Sequence, residues 1–444
     1  MNAATAREGG KLASTVGRSI LAVCTLFVTG ILVTMPNAAA SSELAALLQD
    51  VSAADGVRYR TTDDQGVGMD TAKIVPAGSG GDYLAVYHHL IGGAFDVRLA
   101  TSTDLLHWHY VTTLEDDASQ PTIAELSDGG FLVAYEKTGR GPACGGSGSC
   151  LAFQHYPSKN ALLAGADDRS VTVNRTLSSC NEGTPNIYAT TLSPDLDHSI
   201  INVGFHYFRG CDVDRQAIGT LTNFTTWRTT ADANLNTLFT NLGTIGGNVG
   251  DRDALYYQGR PYSLVEAQDK KNDFGTWRPY LFNRTANSLT RLQLHTDGAS
   301  TSFGNPTYTE LTLPGGDRGF VSTQFIFSEG AAQGEAGALF YYRAFPTQPA
   351  ADSTRPTVTM TQPAHGARVH RGSMVTIKAT ASDSSGIAKV AFFVNGSLTC
   401  VSPFAPYSCA WTVPNRSGVA YTLRAEATDA AGNVSSSTVT VTSR

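Results

Sequence analysis

Five times between residues 70 and 345 the chain sets one apolar strand beside a second that ends in aromatic or acidic residues. The segments are DTAKIVPAGSGGDYLAVYHH from Asp70, QPTIAELSDGGFLVAYEK from Gln120, TPNIYATTLSPDLDHSIINVGFHYF from Thr184, DRDALYYQGRPYSLVEAQ from Asp251 and STQFIFSEGAAQGEAGALFYYRAF from Ser322. A self-similarity that returns every roughly 50 to 70 residues marks an array of supersecondary units rather than one irregular core. Each interval has room for about four short strands, the size of a propeller blade, and five blades close a ring. The spacing alone leaves an irregular two-sheet β fold open. Composition agrees with an all-β chain: 16% of the 444 residues are charged, and 44 Gly and 18 Pro supply turns, which disfavours a helical bundle or a disordered chain. The net charge of -6 and the lack of a Lys/Arg cluster argue against a nucleic-acid partner.

The ends of the chain differ from this array. Arg7, Lys11 and Arg18 precede the apolar run Ile20 to Met35, and Pro36-Asn37-Ala38-Ala39-Ala40 follows, so residues 1–40 read as a secretory signal cleaved after Ala40. The expected mature protein is secreted, extracellular or periplasmic, monomeric, and off the membrane once the signal is gone. Six cysteines remain after cleavage, clustered as Cys144 with Cys150, Cys180 with Cys211 and Cys400 with Cys409. An even number in an exported chain implies disulfides, and local pairing is the expectation among the possible connectivities. Their spacing is not that of a zinc site, so no metal ligand set is expected.

The Pro/Ala/Ser/Thr stretch 346–355 reads as a linker. It divides a domain over 41–345 from one over 356–444, where runs such as MVTIKATA, IAKVAFFV and AYTLRAEATD alternate apolar with polar residues between Gly- and Asn-rich turns. About seven short strands in such a span fit an immunoglobulin-like β-sandwich. With FFVNGSLTC, PYSCAWTVP and DAAGNVS, the segment resembles the bacterial immunoglobulin-like modules of secreted hydrolases.

In the array, Asp96-Val97-Arg98-Leu99-Ala100-Thr101-Ser102-Thr103-Asp104-Leu105-Leu106-His107-Trp108 resembles the R-x-A-x-S-x-D-L-x-x-W outer strands of the family 43 and family 32 glycoside hydrolases, whose fold is a five-bladed propeller. Leu221-Thr222-Asn223-Phe224-Thr225-Thr226-Trp227 echoes it in the third repeat and Asp273-Phe274-Gly275-Thr276-Trp277 in the fourth. The resemblance implies a carbohydrate-active enzyme in which one carboxylic acid protonates the leaving oxygen while another carboxylate activates water. It assigns the general base to Asp70, behind the Gly66-Val67-Gly68 turn. It assigns the general acid to Glu182, because Asn181-Glu182-Gly183-Thr184-Pro185-Asn186-Ile187-Tyr188 resembles the family's E-G-P-x-I-Y segment. A third carboxylate belongs at the start of the second repeat, where this chain has Ser119-Gln120-Pro121-Thr122; Gln120 is therefore expected to bind sugar hydroxyls, and Asp251 or Asp253 is expected to supply the missing charge, with Asp116 and Asp117 just upstream as alternative substitutes.

Arg252 and Asp253, beside Asp251, are substrate contacts in this scheme, or else parts of a salt-bridge plug in the channel. His206 and His88 are further candidate contacts. No organic cofactor is implied. A calcium or sodium ion in the central channel, as in related propellers, is the one ion the resemblance admits. The expected function is inverting hydrolysis of a polysaccharide or oligosaccharide; a non-catalytic, lectin-like propeller and an adhesion scaffold are the alternatives.

Overall fold

The computed structural model describes residues 37–78, 81–138, 144, 146–192, 195–346, 353–430 and 432–444. The apolar run of the expected signal and most of the linker's first half lie outside these residues, as do the side chains of Asp251 and Arg252. Twenty strands between Gly56 and Ala344 form five four-stranded antiparallel sheets. The short strand β1 (Gly56–Arg58) precedes them in the chain. The first sheet comprises β2 (Asp70–Pro76), β3 (Tyr83–Ile91), β4 (Ala94–Ser102) and β5 (His109–Glu115). The second comprises β6 (Ala118–Glu125), β7 (Phe131–Lys137), β8 (Cys150–Tyr156) and β9 (Arg169–Thr172). The third holds β10 (Glu182–Thr191), β11 (Ile200–Arg209), β12 (Val213–Thr222) and β13 (Thr226–Ala231), and the fourth β14 (Val249–Tyr257), β15 (Arg260–Gln268), β16 (Trp277–Asn283) and β17 (Ser288–Arg291). The fifth is β18 (Phe303–Thr312), β19 (Arg318–Ile326) and β20 (Gly337–Ala344), completed at its outer edge by β1.

The sheets form a propeller-like ring. The first strand of each packs against the first strand of the next, and β18 returns to β2. Apolar side chains seal the junctions. Val86, Leu99, Ile123 and Val133 pack between the first two sheets, Phe153 and Phe205 between the next two, and Ile74, Tyr83, Val321 and Phe340 between the fifth and the first. Pairing the N-terminal β1 with β20 closes the ring without a covalent link and leaves no long bare edge there. The helix α1 (Asn37–Gln49) adds Leu44, Ala45 and Leu48 to the core of the fourth and fifth sheets.

The fifth repeat is placed differently from its sequence reading. Ser322 lies in β19, a second strand, and the true first strand is the Thr- and Asn-rich β18. Its FGNPTYTELT carries few aliphatic residues, so a reading guided by apolar runs slides onto the next strand. The Ser102–Trp108 motif makes the turn from third to fourth strand: Ser102 Oγ accepts from Leu105 N (2.9 Å), and Asp104 Oδ1 accepts from Leu106 N (2.9 Å) and His107 N (2.7 Å). The Asn223–Trp227 echo occupies the same kind of turn, whereas Asp273 precedes β16, a third strand, and is not equivalent.

Eight strands between Thr357 and Ser443 form a three-stranded and a five-stranded sheet around Ile377, Phe392, Trp411 and Leu423. This sandwich sits on the β14–β15 hairpin, at the end of the ring opposite the starts of the first strands. Tyr256 Oη donates to Ala388 O (2.6 Å), and the Arg284 guanidinium lies 3.9 Å from the centroid of Phe404. A Cβ at Gly259 (φ +74°) would fall 1.4 Å from Ser385 O, so only glycine permits this approach. Disulfides join Cys144 to Cys150, Cys180 to Cys211 and Cys400 to Cys409.

Candidate active site

The same irregularity opens every first strand. Asp70 pairs with His88, but Lys73 already pairs with Val86, so one extra residue bulges out between them. Ser119, Gly183, Gly250 and Gly304 pair with Glu136, His206, Glu266 and Phe325, and a one-residue bulge follows each. Thr71, Gln120, Thr184 and Asn305 occupy the bulge with φ of 50° to 52°. Such bulges re-aim side chains at the rim of a closed sheet structure. They also give a common register for comparing the five sheets.

In that register Asp70 stands level with Ser119, Gly183, Gly250 and Gly304 at the mouth of the ring. Its carboxylate lies 3.6 Å from His89 Nδ1. Burial pushes the carboxyl up to about 6, and the neighbouring His89 restrains the rise. A base of that strength is mostly ionised at neutral pH and still basic enough to accept a proton.

Glu182 is one position earlier, and this corrects its assignment as the acid. The residues level with it are Met69, Ala118, Val249 and Phe303, all buried core positions. A shift of one residue turns a strand side chain to the other face. Glu182 is accordingly 1% exposed, and its Oε1 accepts from the backbone N–H of Thr176 (2.7 Å), Leu177 (2.5 Å) and Ser178 (3.0 Å). It ties down the loop that leads to the Cys180–Cys211 bridge, on the opposite strand face from the position level with Asp70. Thr184, between Gly183 and Pro185, is the residue that the E-G-P pattern lacks; aligned on Pro185, it is Gly183 that takes the glutamate's place.

That place is filled from the neighbouring sheet. A Cβ on Gly183 would fall 1.9 Å from Glu136 Oε2. Glu136, on β7, bonds Ser149 and the Thr184 backbone N–H, with His206 and Asp214 nearby. Burial raises its carboxyl above the ordinary glutamate range, opposed first by His206. His206 pairs with Gly183, the position level with Asp70, and its Nε2 is 3.7 Å from Asp214 Oδ1. Glu136 stands at the acidic end of a second strand and not at the opening of a first one, so a search of strand openings passes over it.

Glu136 has a counterpart. Glu266 holds the same register on β15, and its Oε2 accepts from Asn305 N (2.6 Å) above Gly304, where a Cβ would come within 2.4 Å of that oxygen. His88 does the same at the first junction: its Nδ1 accepts from Gln120 N (2.7 Å). Burial lowers the His88 imidazole to about 3, which keeps it a neutral acceptor. His88 is thus a clasp between sheets, and its assignment as a sugar contact is corrected. The second-strand residue of one sheet holds the bulge of the next at these three junctions. Glu266 is 5% exposed, whereas Glu136 is only partly buried.

Asp253 is also corrected as a sugar contact. It is 2% exposed, accepting on Oδ1 from Asn186 Nδ2 (2.5 Å) and on Oδ2 from Lys73 Nζ (2.5 Å) and Tyr308 N (2.7 Å). Asp253 is paired with Lys73, and the expected plug through Arg252 lies outside the described side chains. Gln120 and Thr184 line a small cavity beside the Lys73–Asp253 pair. Asp251 is the bulge residue of the fourth sheet, level with Gln120 and Thr184 by backbone register. Arg252 follows it, and the side chains of both lie outside the described residues.

Residues 356–441 match the family model of the bacterial Ig domain. The C-terminal segment is a bacterial Ig domain. No curated protein sequence matches the chain. Among solved structures, a family 43 endo-arabinanase from Bacillus licheniformis is 12% identical, with 64% of this chain and 96% of that one covered at a TM-score of 0.40. A sucrose-6-phosphate hydrolase from Lactobacillus gasseri is 12% identical over 92% of each chain at 0.40. Fibronectin(III)-like modules of Clostridium thermocellum CbhA are 28% identical over 20% of this chain and 94% of theirs at 0.18. At such TM-scores the architecture rests on the strand order and ring closure described above.

Proposed function

We propose that residues 41–345 form a five-bladed propeller, exported from the cell, that binds a polysaccharide or oligosaccharide at the mouth of its ring and hydrolyses a glycosidic bond with inversion. Asp70 acts as general base on a water, and Glu136 as general acid on the leaving oxygen. Asp251, one residue beyond the Gly250 that is level with Asp70, is the third carboxylate of this reading. The observation that carries this reading is Asp70: a carboxyl held at the opening of the ring at about 6, beside an orienting histidine. Glu136, raised by burial above the ordinary glutamate range and reaching the third sheet where a blade-borne acid would begin, is the group that supports the role of acid. Three disulfides suit an oxidising compartment, and among the described residues no helix is long and apolar enough to cross a membrane.

The test is a product screen of residues 41–444 on arabinan, xylan, galactan and fructan, with the anomer followed by NMR. Turnover that gives the inverted anomer and is lost in Asp70→Asn and in Glu136→Gln, with glycan binding kept, is the expected result. A second reading has its own support. Glu182 is committed to backbone and a glutamine stands at position 120, so two of the family's three carboxylate places hold no reactive acid. Glycan binding without turnover on the whole panel would establish a lectin-like propeller instead.

A further inference from the structure

The axis of the ring carries its own cation. Lys73 Nζ, on β2, donates to Asp253 Oδ2 of the fourth sheet and to Tyr308 O of the fifth (2.7 Å). Asn186, from the third sheet, holds the other Asp253 oxygen and accepts from Ala254 N (3.1 Å). Four of the five sheets therefore meet at one buried ion pair whose side chains are 12% and 2% exposed. A carboxylate oxygen and a backbone carbonyl around a positive centre are the donor types that bind calcium or sodium. Here an ammonium occupies that centre.

Beside the pair lies a cavity of about 20 Å³ lined by Gln120, Thr122, Thr184, Asn186, Thr307 and Lys73. Thr184 Oγ1 and Gln120 Oε1 are buried there without a hydrogen-bond partner among the described residues. Thr184 as a whole is 6% exposed. The space suffices for one water molecule, which needs two to four polar partners, and two oxygens with the remaining Lys73 N–H provide them. A metal ion fits poorly: it would sit against a fixed ammonium, and among the described residues the carboxylate beside it, Asp253, is already paired with that ammonium. Among the described residues no group of three or more His, Cys, Asp or Glu is placed to hold a metal.

We propose that the Lys73 ammonium replaces a channel metal ion, and that the cavity beside it holds a single structural water. The propeller is then held at its axis by an ion pair between sheets and needs no calcium or sodium. The purified chain should contain less than a tenth of a mole of calcium per mole by elemental analysis, and its Tm should move by less than about 1 °C between EDTA and millimolar calcium, or between sodium and choline salts. Stoichiometric metal, or a Tm that falls by several degrees in EDTA, would overturn the proposal. Lys73→Met and Asp253→Asn should each lower Tm by about 10 °C, since each strands a buried polar partner, and the double variant should recover at least half of the summed loss. Additive losses in the double variant would count against the pair. If neither single variant folds, the metal content and salt dependence of the wild type still decide.

Discussion

The openings of the first and third sheets look alike in sequence and behave in opposite ways. Each sets an acid just before a bulge, Asp70 before Thr71 and Glu182 before Gly183-Thr184. One residue of register separates them. Asp70 falls on the face toward the mouth, where burial without enough partners keeps its proton bound more tightly than usual. Glu182 falls on the face toward the core, where three backbone N–H groups satisfy it. The difference teaches that a carboxylate in this ring is either satisfied and structural or under-satisfied and reactive, and that register decides which.

The sharpest way to break this comparison is to neutralise both acids and measure both readouts. Asp70→Asn should lower kcat by about 10²-fold or more on any glycan that is turned over, the loss of a general base. Glu182→Ala should leave that chemistry intact per folded molecule but destabilise the fold by roughly 3 to 5 kcal/mol, because three N–H groups lose a buried anionic acceptor. A Glu182→Ala protein of normal Tm would remove the structural role assigned to it.

The stability effect of Asp70→Asn should have the opposite sign. Its folded carboxyl titrates near 6 against an ordinary 3.8. A raised acid binds its proton more tightly when folded, so stability is lost as pH climbs from about 4 to 6, by roughly 3 kcal/mol in all. Above pH 6 the asparagine variant should therefore be the more stable protein, by up to that amount, and below pH 4 the two should converge. Thermal melts at pH 4 and pH 7 read this directly. The activity of the wild type should fall on the acid side with an apparent pKa near 6, as the base becomes protonated.

Glu136 and Glu266 extend the comparison to two acids at the same register. Glu136→Gln should cost activity with a small change in Tm. Glu266→Gln should cost about 1 to 2 kcal/mol of stability, since an amide still accepts from Asn305 N but without charge assistance. Equal behaviour of the two would make Glu136 a clasp and withdraw it as the acid. The smallest effect expected is at the far end of the ring. Arg284→Ala removes the stacking on Phe404 and should lower Tm by only a degree or two, with kcat unchanged because the mouth is at the other end.

Much of the architecture was legible before any coordinates. Period-two alternation and the regular return of paired strands marked four of the five first strands. The alternating C-terminal runs and their turns marked the Ig domain, and the clustering of cysteines anticipated the three bridges. The fifth first strand was not legible, because FGNPTYTELT buries its face with Phe303, Tyr308 and Leu311 among polar neighbours. Nothing in D-T-A-K-I-V-P sets Lys73 apart, and only its partner 180 residues away makes it axial.

The sequence by itself determined the inventory and the periodicity: which acids stand near strand openings, where chain reversals fall, and that similar two-strand units recur along the chain. Tertiary structure decided which of those acids can react. Bulge register sets the face that each side chain takes, and satisfaction comes from other sheets, as Gly183 receives Glu136 and Asp253 receives Lys73. A local pattern cannot encode these contacts, because the free energy of a buried charge depends on partners that only the closed ring brings within reach.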